Sequence, residues 1–128
     1  MNAIAPRGWC PGLYTPMASG DGLLVRVRPP RATLAVDAAR RLVQAASQFG
    51  NGVLELTSHA ATQVRGLSSD SIAPFAAAMV EAGLADADPE IERCRIVIVP
   101  PLADDVVHGV ANAIETSLGH LPPLPAKY

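Results

Sequence analysis

Arg26 and Arg28, on the short apolar segment Leu23-Leu24-Val25-Arg26-Val27-Arg28, are spaced for work on an anion. Successive side chains of a strand point to opposite faces, so Leu23, Val25 and Val27 are expected on one face and Leu24, Arg26 and Arg28 on the other. Gln63 and Arg65, two apart in Thr62-Gln63-Val64-Arg65-Gly66, join them if that segment pairs beside the first. Guanidiniums gathered on one surface bind carboxylate or phosphate groups through paired N–H donors and stay charged at any physiological pH. A solvated sheet face decorated with arginines has the same alternation, and the spacing alone leaves both readings open.

Other reactive constellations are not evident. Cys10 and Cys94 have no second cysteine near either, which gives neither a disulfide framework nor a CxxC knuckle and makes free thiols the expectation. His59, His108 and His120 have no spacing that sets two on one helical face, so no metal site is expected. The glycines at 20–22 and 50–52 form no phosphate loop, and no Ser-His-Asp pattern can be argued. No catalytic residue is therefore assigned to this chain alone.

Positioning the arginines requires a sheet. Residues 1–22, with Pro11, Gly12, Pro16, Gly20 and Gly22, hold too many breakers for a regular element and read as an extended arm. A strand at 23–28 stops at Pro29-Pro30. A helix follows with Thr33 as N-cap, burying Leu34, Ala38, Leu42, Ala45 and Phe49 and ending at Gly50. Strands at 53–57 and 62–67 form a hairpin through Ser58-His59-Ala60-Ala61. A second helix, 71–82, turns Ile72, Phe75, Ala76, Met79 and Val80 inward, with Pro74 in its first turn and Gly83 as its stop. After an acidic loop at 85–92, the β-branched run Arg95-Ile96-Val97-Ile98-Val99 reads as a buried strand. The order is β-α-β-β-α-β, an α+β ferredoxin-like arrangement with both helices on one sheet face. A further helix, 103–118, is expected to bury Val107, Val110, Ala111, Ile114 and Leu118, and a proline-rich linker closes the chain. The domain division is thus an arm at 1–22, a half-domain at 23–101, and at 102–128 a helix and linker that open an absent domain.

The 128 residues, 49% of them hydrophobic, suffice for one packed core. The apolar runs are too short to span a bilayer and residues 1–7 lack a signal peptide's apolar stretch, so no membrane partner and a cytoplasmic location are expected. A net charge of −2 argues against nucleic acid as a partner. The distribution is uneven: Gly22 to Gly66 carries six arginines against Asp37 and Glu55, whereas Leu67 to Asp105 carries eight acids against Arg93 and Arg95. That asymmetry suits a polyanion held by the first part, or a solvated acidic face on the second. An RNA-recognition module shares the strand order, but its sheet needs stacking aromatics that these strands lack.

The Arg26-Val27-Arg28 strand, followed by Leu56-Thr57-Ser58 and Gln63-Val64-Arg65-Gly66, resembles the first half-domain of the siroheme nitrite and sulfite reductases. With Arg7-Gly8-Trp9-Cys10-Pro11-Gly12 before it and Pro-Pro-Arg after the strand, the chain is most similar to the precorrin-3B synthase family of aerobic cobalamin biosynthesis. The resemblance implies that Arg26, Arg28, Gln63 and Arg65 contact a polycarboxylate tetrapyrrole such as precorrin-3A. His59 stands where the family usually has arginine, and a turn residue is its favoured reading over a weaker or pH-sensitive ligand. Arg95 in Arg95-Ile96-Val97-Ile98-Val99-Pro100-Pro101-Leu102-Ala103 resembles the family's Arg-Asn-Val-Leu-x-Ser-Pro-Leu-Ala, with Ile96 and Pro100 departing from it. Lys127 in Leu124-Pro125-Ala126-Lys127-Tyr128 resembles the active-site lysine of Leu-Pro-x-Lys-Phe.

The family implies a [4Fe–4S] cluster, accompanied by siroheme in the reductases, but the Cys-x5-Cys and Cys-x3-Cys ligands are missing here. The expectation is therefore the N-terminal, tetrapyrrole-binding part of a precorrin-3B synthase-like oxidoreductase. It binds no cofactor by itself, is not a complete catalyst alone, and works with its missing C-terminal half in cis or in trans. The competing readings are part of an assimilatory sulfite or nitrite reductase, and a free-standing ferredoxin-like module for a small anion.

Overall fold

The structure, a computed structural model, describes residues 10–94 and 97–122. Four strands form one antiparallel sheet: β1 (Met17–Ser19), β2 (Gly22–Val27), β3 (Leu54–Leu56) and β4 (Thr62–Leu67), in the spatial order β1-β2-β4-β3. Helices α1 (Val36–Phe49) and α2 (Ser69–Glu81) pack together on one face. Two further helices, α3 (Pro89–Cys94) and α4 (Asp105–Leu118), complete the described elements, giving an α+β fold.

The core is built from the alternation expected of β2. Val25 and Val27 point inward with Val64 and Leu67 of β4 and meet Leu42, Ala45 and Ala46 of α1 and Phe75, Ala76 and Met79 of α2. Val64 and Leu67 are three apart, so simple alternation cannot place both inside. A register shift opposite Leu24 inserts one extra residue in β4, and Gly66 takes φ +72° there, returning Leu67 to the core while Arg65 stays outside.

Local signals set the helix ends differently from expectation. Ala35, not Thr33, precedes α1, because the chain first makes a 3-10 turn at Pro30–Ala32, and Leu34 is left exposed. α2 begins two residues early, where the Ser68 N–H donates to Ser71 Oγ at 2.8 Å. Pro74 therefore lies in the second turn, where its missing N–H would have served the Asp70 carbonyl. α4 starts under a cap from Asp104, whose carboxylate accepts from the Val107 N–H at 3.0 Å.

Four elements differ more. Residues 17–19, expected within the arm, form β1 and pair with β2 through the two-residue loop Gly20-Asp21. Of the strand expected at 95–99, residues 97–99 are not extended into the sheet, and residues 95 and 96 lie outside the described residues. The free edge of β2 such a strand would join is taken by β1. The loop at 85–92 contains the start of α3, whose buried Glu92 accepts from the Asp86 N–H at 2.6 Å. Finally, α4 buries only Ala111; Val107, Val110 and Ile114, expected inside, are 41%, 56% and 49% exposed. The helix is tied to the 3-10 turn by Arg31, whose Nη1 donates to Asn112 Oδ1 at 3.0 Å.

Candidate functional site

The face of the sheet opposite α1 and α2 carries a row of side chains set by strand register. Arg26 of β2 lies directly across from Gln63 of β4, and Gln63 directly across from Glu55 of β3. Hydrogen bonds follow that row. Arg26 Nε donates to Gln63 Oε1 at 3.1 Å, and Gln63 Nε2 donates to Glu55 Oε2 at 2.5 Å. A guanidinium on one side and a carboxylate on the other fix the orientation of the Gln63 amide, since only its oxygen can accept and only its nitrogen can donate.

Arg65, carried outward by the bulge, joins the row to the β1–β2 loop. Its Nε and Nη2 donate to the two oxygens of Asp21 at 2.8 and 3.1 Å, a bidentate pair, and Nη2 also donates to Ser19 Oγ at 2.6 Å. Nη1 donates to Glu55 Oε2 at 3.1 Å. Asn51 supports the clasp, with Nδ2 donating to Asp21 Oδ2 at 3.2 Å and Oδ1 accepting from the Val53 N–H at 3.0 Å. The hydrogen bonds from Arg65 are the main cause that lowers the Asp21 carboxyl to about 2, and those from Asp21 and then Glu55 raise the Arg65 guanidinium above its usual value.

Of the residues singled out from the sequence, the structure thus brings Arg26, Gln63 and Arg65 into one network. Arg28 follows the end of β2 and is half-buried. His59 sits exposed in the hairpin turn, where Nδ1 lies 3.1 Å from Ser58 Oγ beside the left-handed Ala60. Arg95 and Lys127 lie outside the described residues. Sequence reasoning missed Asp21, Ser19, Asn51 and Glu55. Glu55 was within reach, because the hairpin register alone sets it opposite Gln63; Asp21 was not, because its position depends on β1.

The donor set speaks to the family's cofactors. Two cysteines in the whole chain cannot supply four thiolates, so these residues do not fit a [4Fe–4S] cluster. Among the described residues no group of three His, Cys, Asp or Glu side chains is placed to hold a metal ion, and no helix is long and apolar enough to cross a membrane.

Comparison with known proteins bears on the same region. Residues 15–82, from just before β1 to just past α2, match the family model described as the nitrite/sulfite reductase ferredoxin-like half domain. A precorrin-3B synthase of Sinorhizobium sp is 44% identical over 97 residues, which is 76% of this chain and 20% of that protein. The chain therefore spans about a fifth of the length of the curated relative it matches. No solved structure is significantly similar. The arginine-bearing strand, the hairpin that pairs with it and both packed helices all fall within the matched segment, and the chain belongs to the nitrite/sulfite reductase ferredoxin-like half-domain family.

Proposed function

We propose that this chain is the tetrapyrrole-binding part of a precorrin-3B synthase-like oxidoreductase, located in the cytoplasm. The sheet face opposite α1 and α2 holds the carboxylates of a precorrin-3A-like macrocycle through Arg26, Arg28, Gln63 and Arg65, with Arg95 and Lys127 as further cations and His59 at the rim. The observation that supports this reading is the row on that face: Arg26 and Arg65 stand on adjacent strands, with Gln63 bonded to Arg26 and Glu55 joining Gln63 to Arg65. Carboxylates of a large ring are ionised near neutral pH and suit several guanidiniums better than one small oxyanion does. The 44% identical relative favours this over a sulfite or nitrite reductase.

The iron–sulfur chemistry belongs, in this reading, to the remainder of the enzyme, since the thiolates are not here. When bound, that cluster would pass electrons to dioxygen, the oxidant that hydroxylates the macrocycle; the residues of this chain bind and orient the macrocycle's acidic side chains. We assign the outer apolar face of α4, where Val106, Val110 and Ile114 are exposed, to contact with the four-fifths of the relative's length that this chain does not span.

The test is a fluorescence titration with uroporphyrin, an octacarboxylate, at low ionic strength. Binding should be micromolar or weaker, should fall with added salt, and should drop severalfold in Arg26→Ala/Arg28→Ala. Titration curves that are the same for the wild type and the double variant would remove the face from the binding site.

A further inference from the structure

We infer that Glu55 is the specificity-determining residue of this face: its carboxylate stands in for a ligand carboxylate between Gln63 Nε2 and Arg65 Nη1, and only a polyanion displaces it. The inference rests on the proposed tetrapyrrole reading.

The two acids that meet Arg65 are not equivalent. Asp21 takes Nε and Nη2 together, in the fork geometry that fixes a guanidinium's plane, and is itself held by Asn51. Glu55 takes the remaining side, with a single oxygen receiving both Arg65 Nη1 and Gln63 Nε2. Two converging N–H donors on one oxygen are what a ligand carboxylate would meet there. Glu55 also lies on β3, a three-residue edge strand, with its side chain 45% exposed, so it can swing into solvent without uncovering the core. Asp21 is the anchor that aims Arg65, and Glu55 is the occupant of the place it aims at.

Displacement exchanges one carboxylate for another at the same two donors, which is close to neutral. A monoanion meets a tethered competitor at high effective concentration and gains little. A polycarboxylate that also reaches Arg26 and Arg28 makes additional contacts, which tip the exchange in its favour. When Glu55 leaves, Gln63 keeps its bond to Arg26 and turns its freed Nε2 to the ligand. Glu55 thereby raises selectivity for polyanions over small anions, at the expense of absolute affinity.

The variant Glu55→Gln keeps the shape and an acceptor oxygen while removing the charge, with urea unfolding as the check that it folds as the wild type does. Uroporphyrin should bind it about three- to tenfold more tightly, the scale of one exposed like-charge contact. Acetate at constant ionic strength should compete with uroporphyrin at lower concentration in Glu55→Gln than in the wild type. Uroporphyrin affinity within twofold of the wild type, or weaker, overturns the role given to Glu55. If neither protein binds uroporphyrin, or if Arg26→Ala/Arg28→Ala binds it as the wild type does, the tetrapyrrole reading falls and this inference with it.

Discussion

Gly66→Ala probes the bulge that exposes Arg65. Gly66 has φ +72°, and a Cβ built there would lie 2.5 Å from Asn51 Cγ and 2.6 Å from Asn51 Cβ. Gly83, just after α2, supplies the control: its φ is +73°, and an added Cβ would meet nothing within 4 Å. Alanine in the left-handed region costs about 1 kcal/mol at either position. At Gly66 the side chain of Asn51 must also move, with loss of its hydrogen bond to the Val53 N–H and strain near Cβ, which together add about 1–2 kcal/mol. Gly66→Ala is thus expected to cost about 2–3 kcal/mol and Gly83→Ala about 1 kcal/mol. Urea unfolding with unchanged m-values measures both. Asn51→Gly in the Gly66→Ala background should recover part of the difference, and the double-mutant cycle isolates the clash. Equal losses in the two alanine variants, within about 0.3 kcal/mol, would refute the close approach of Asn51 to Gly66.

Two further outcomes are expected. Phe75 is fully buried at the centre of the core, so Phe75→Ala should cost about 3–5 kcal/mol in the same assay, and a loss under about 1 kcal/mol would mean that α2 is misplaced. Asp21 has a folded-state carboxyl near 2, below its unfolded value, so the unfolded chain takes up that proton first. Its stabilising contribution is complete above about pH 3.9 and is lost as pH falls through about 2. Asp21→Asn should accordingly show a flatter fall in stability than the wild type across that window, and equal slopes would refute the clasp.

The alternation of β2 was legible from the sequence because it is a local rule: Val25 and Val27 face the core and Arg26 faces away, as the spacing requires. The inward faces of α1 and α2 were legible for the same reason, with Leu42, Ala45, Phe75 and Met79 at helical spacing. What failed depended on partners far along the chain. β1 has three residues between Pro16 and Gly20, too few to show a period, and it exists because the edge of β2 offers it a ladder. The run at 97–99 has the composition of a strand, yet composition does not say whether an edge is vacant. On α4, hydrophobic spacing gave the helix but not its environment, and Val110 and Ile114 remain exposed. At the site, the sequence pointed to cations, and the structure adds the acids that aim and occupy them. Glu55 could be placed from the hairpin register alone, whereas Asp21 was visible only as a charge to be counted, because its reach depends on the β1–β2 loop.

The strand order carries a consequence for how binding and folding are coupled. The sheet is two local hairpins, β1–β2 and β3–β4, sewn along a single long-range seam between β2 and β4, with α1 in the intervening chain. Both principal contacts of the candidate site cross that seam: Arg26 reaches Gln63, and Arg65 reaches Asp21. Neither hairpin alone contains the site, which comes into being with the last and most costly loop closure. Amide protons along β2 and β4 should therefore exchange only through global opening, while those of the three-residue edge strands report local fraying. A ligand that bridges the two hairpins would slow seam exchange by mass action and leave the edges unchanged, so the protection pattern itself becomes a footprint of occupancy.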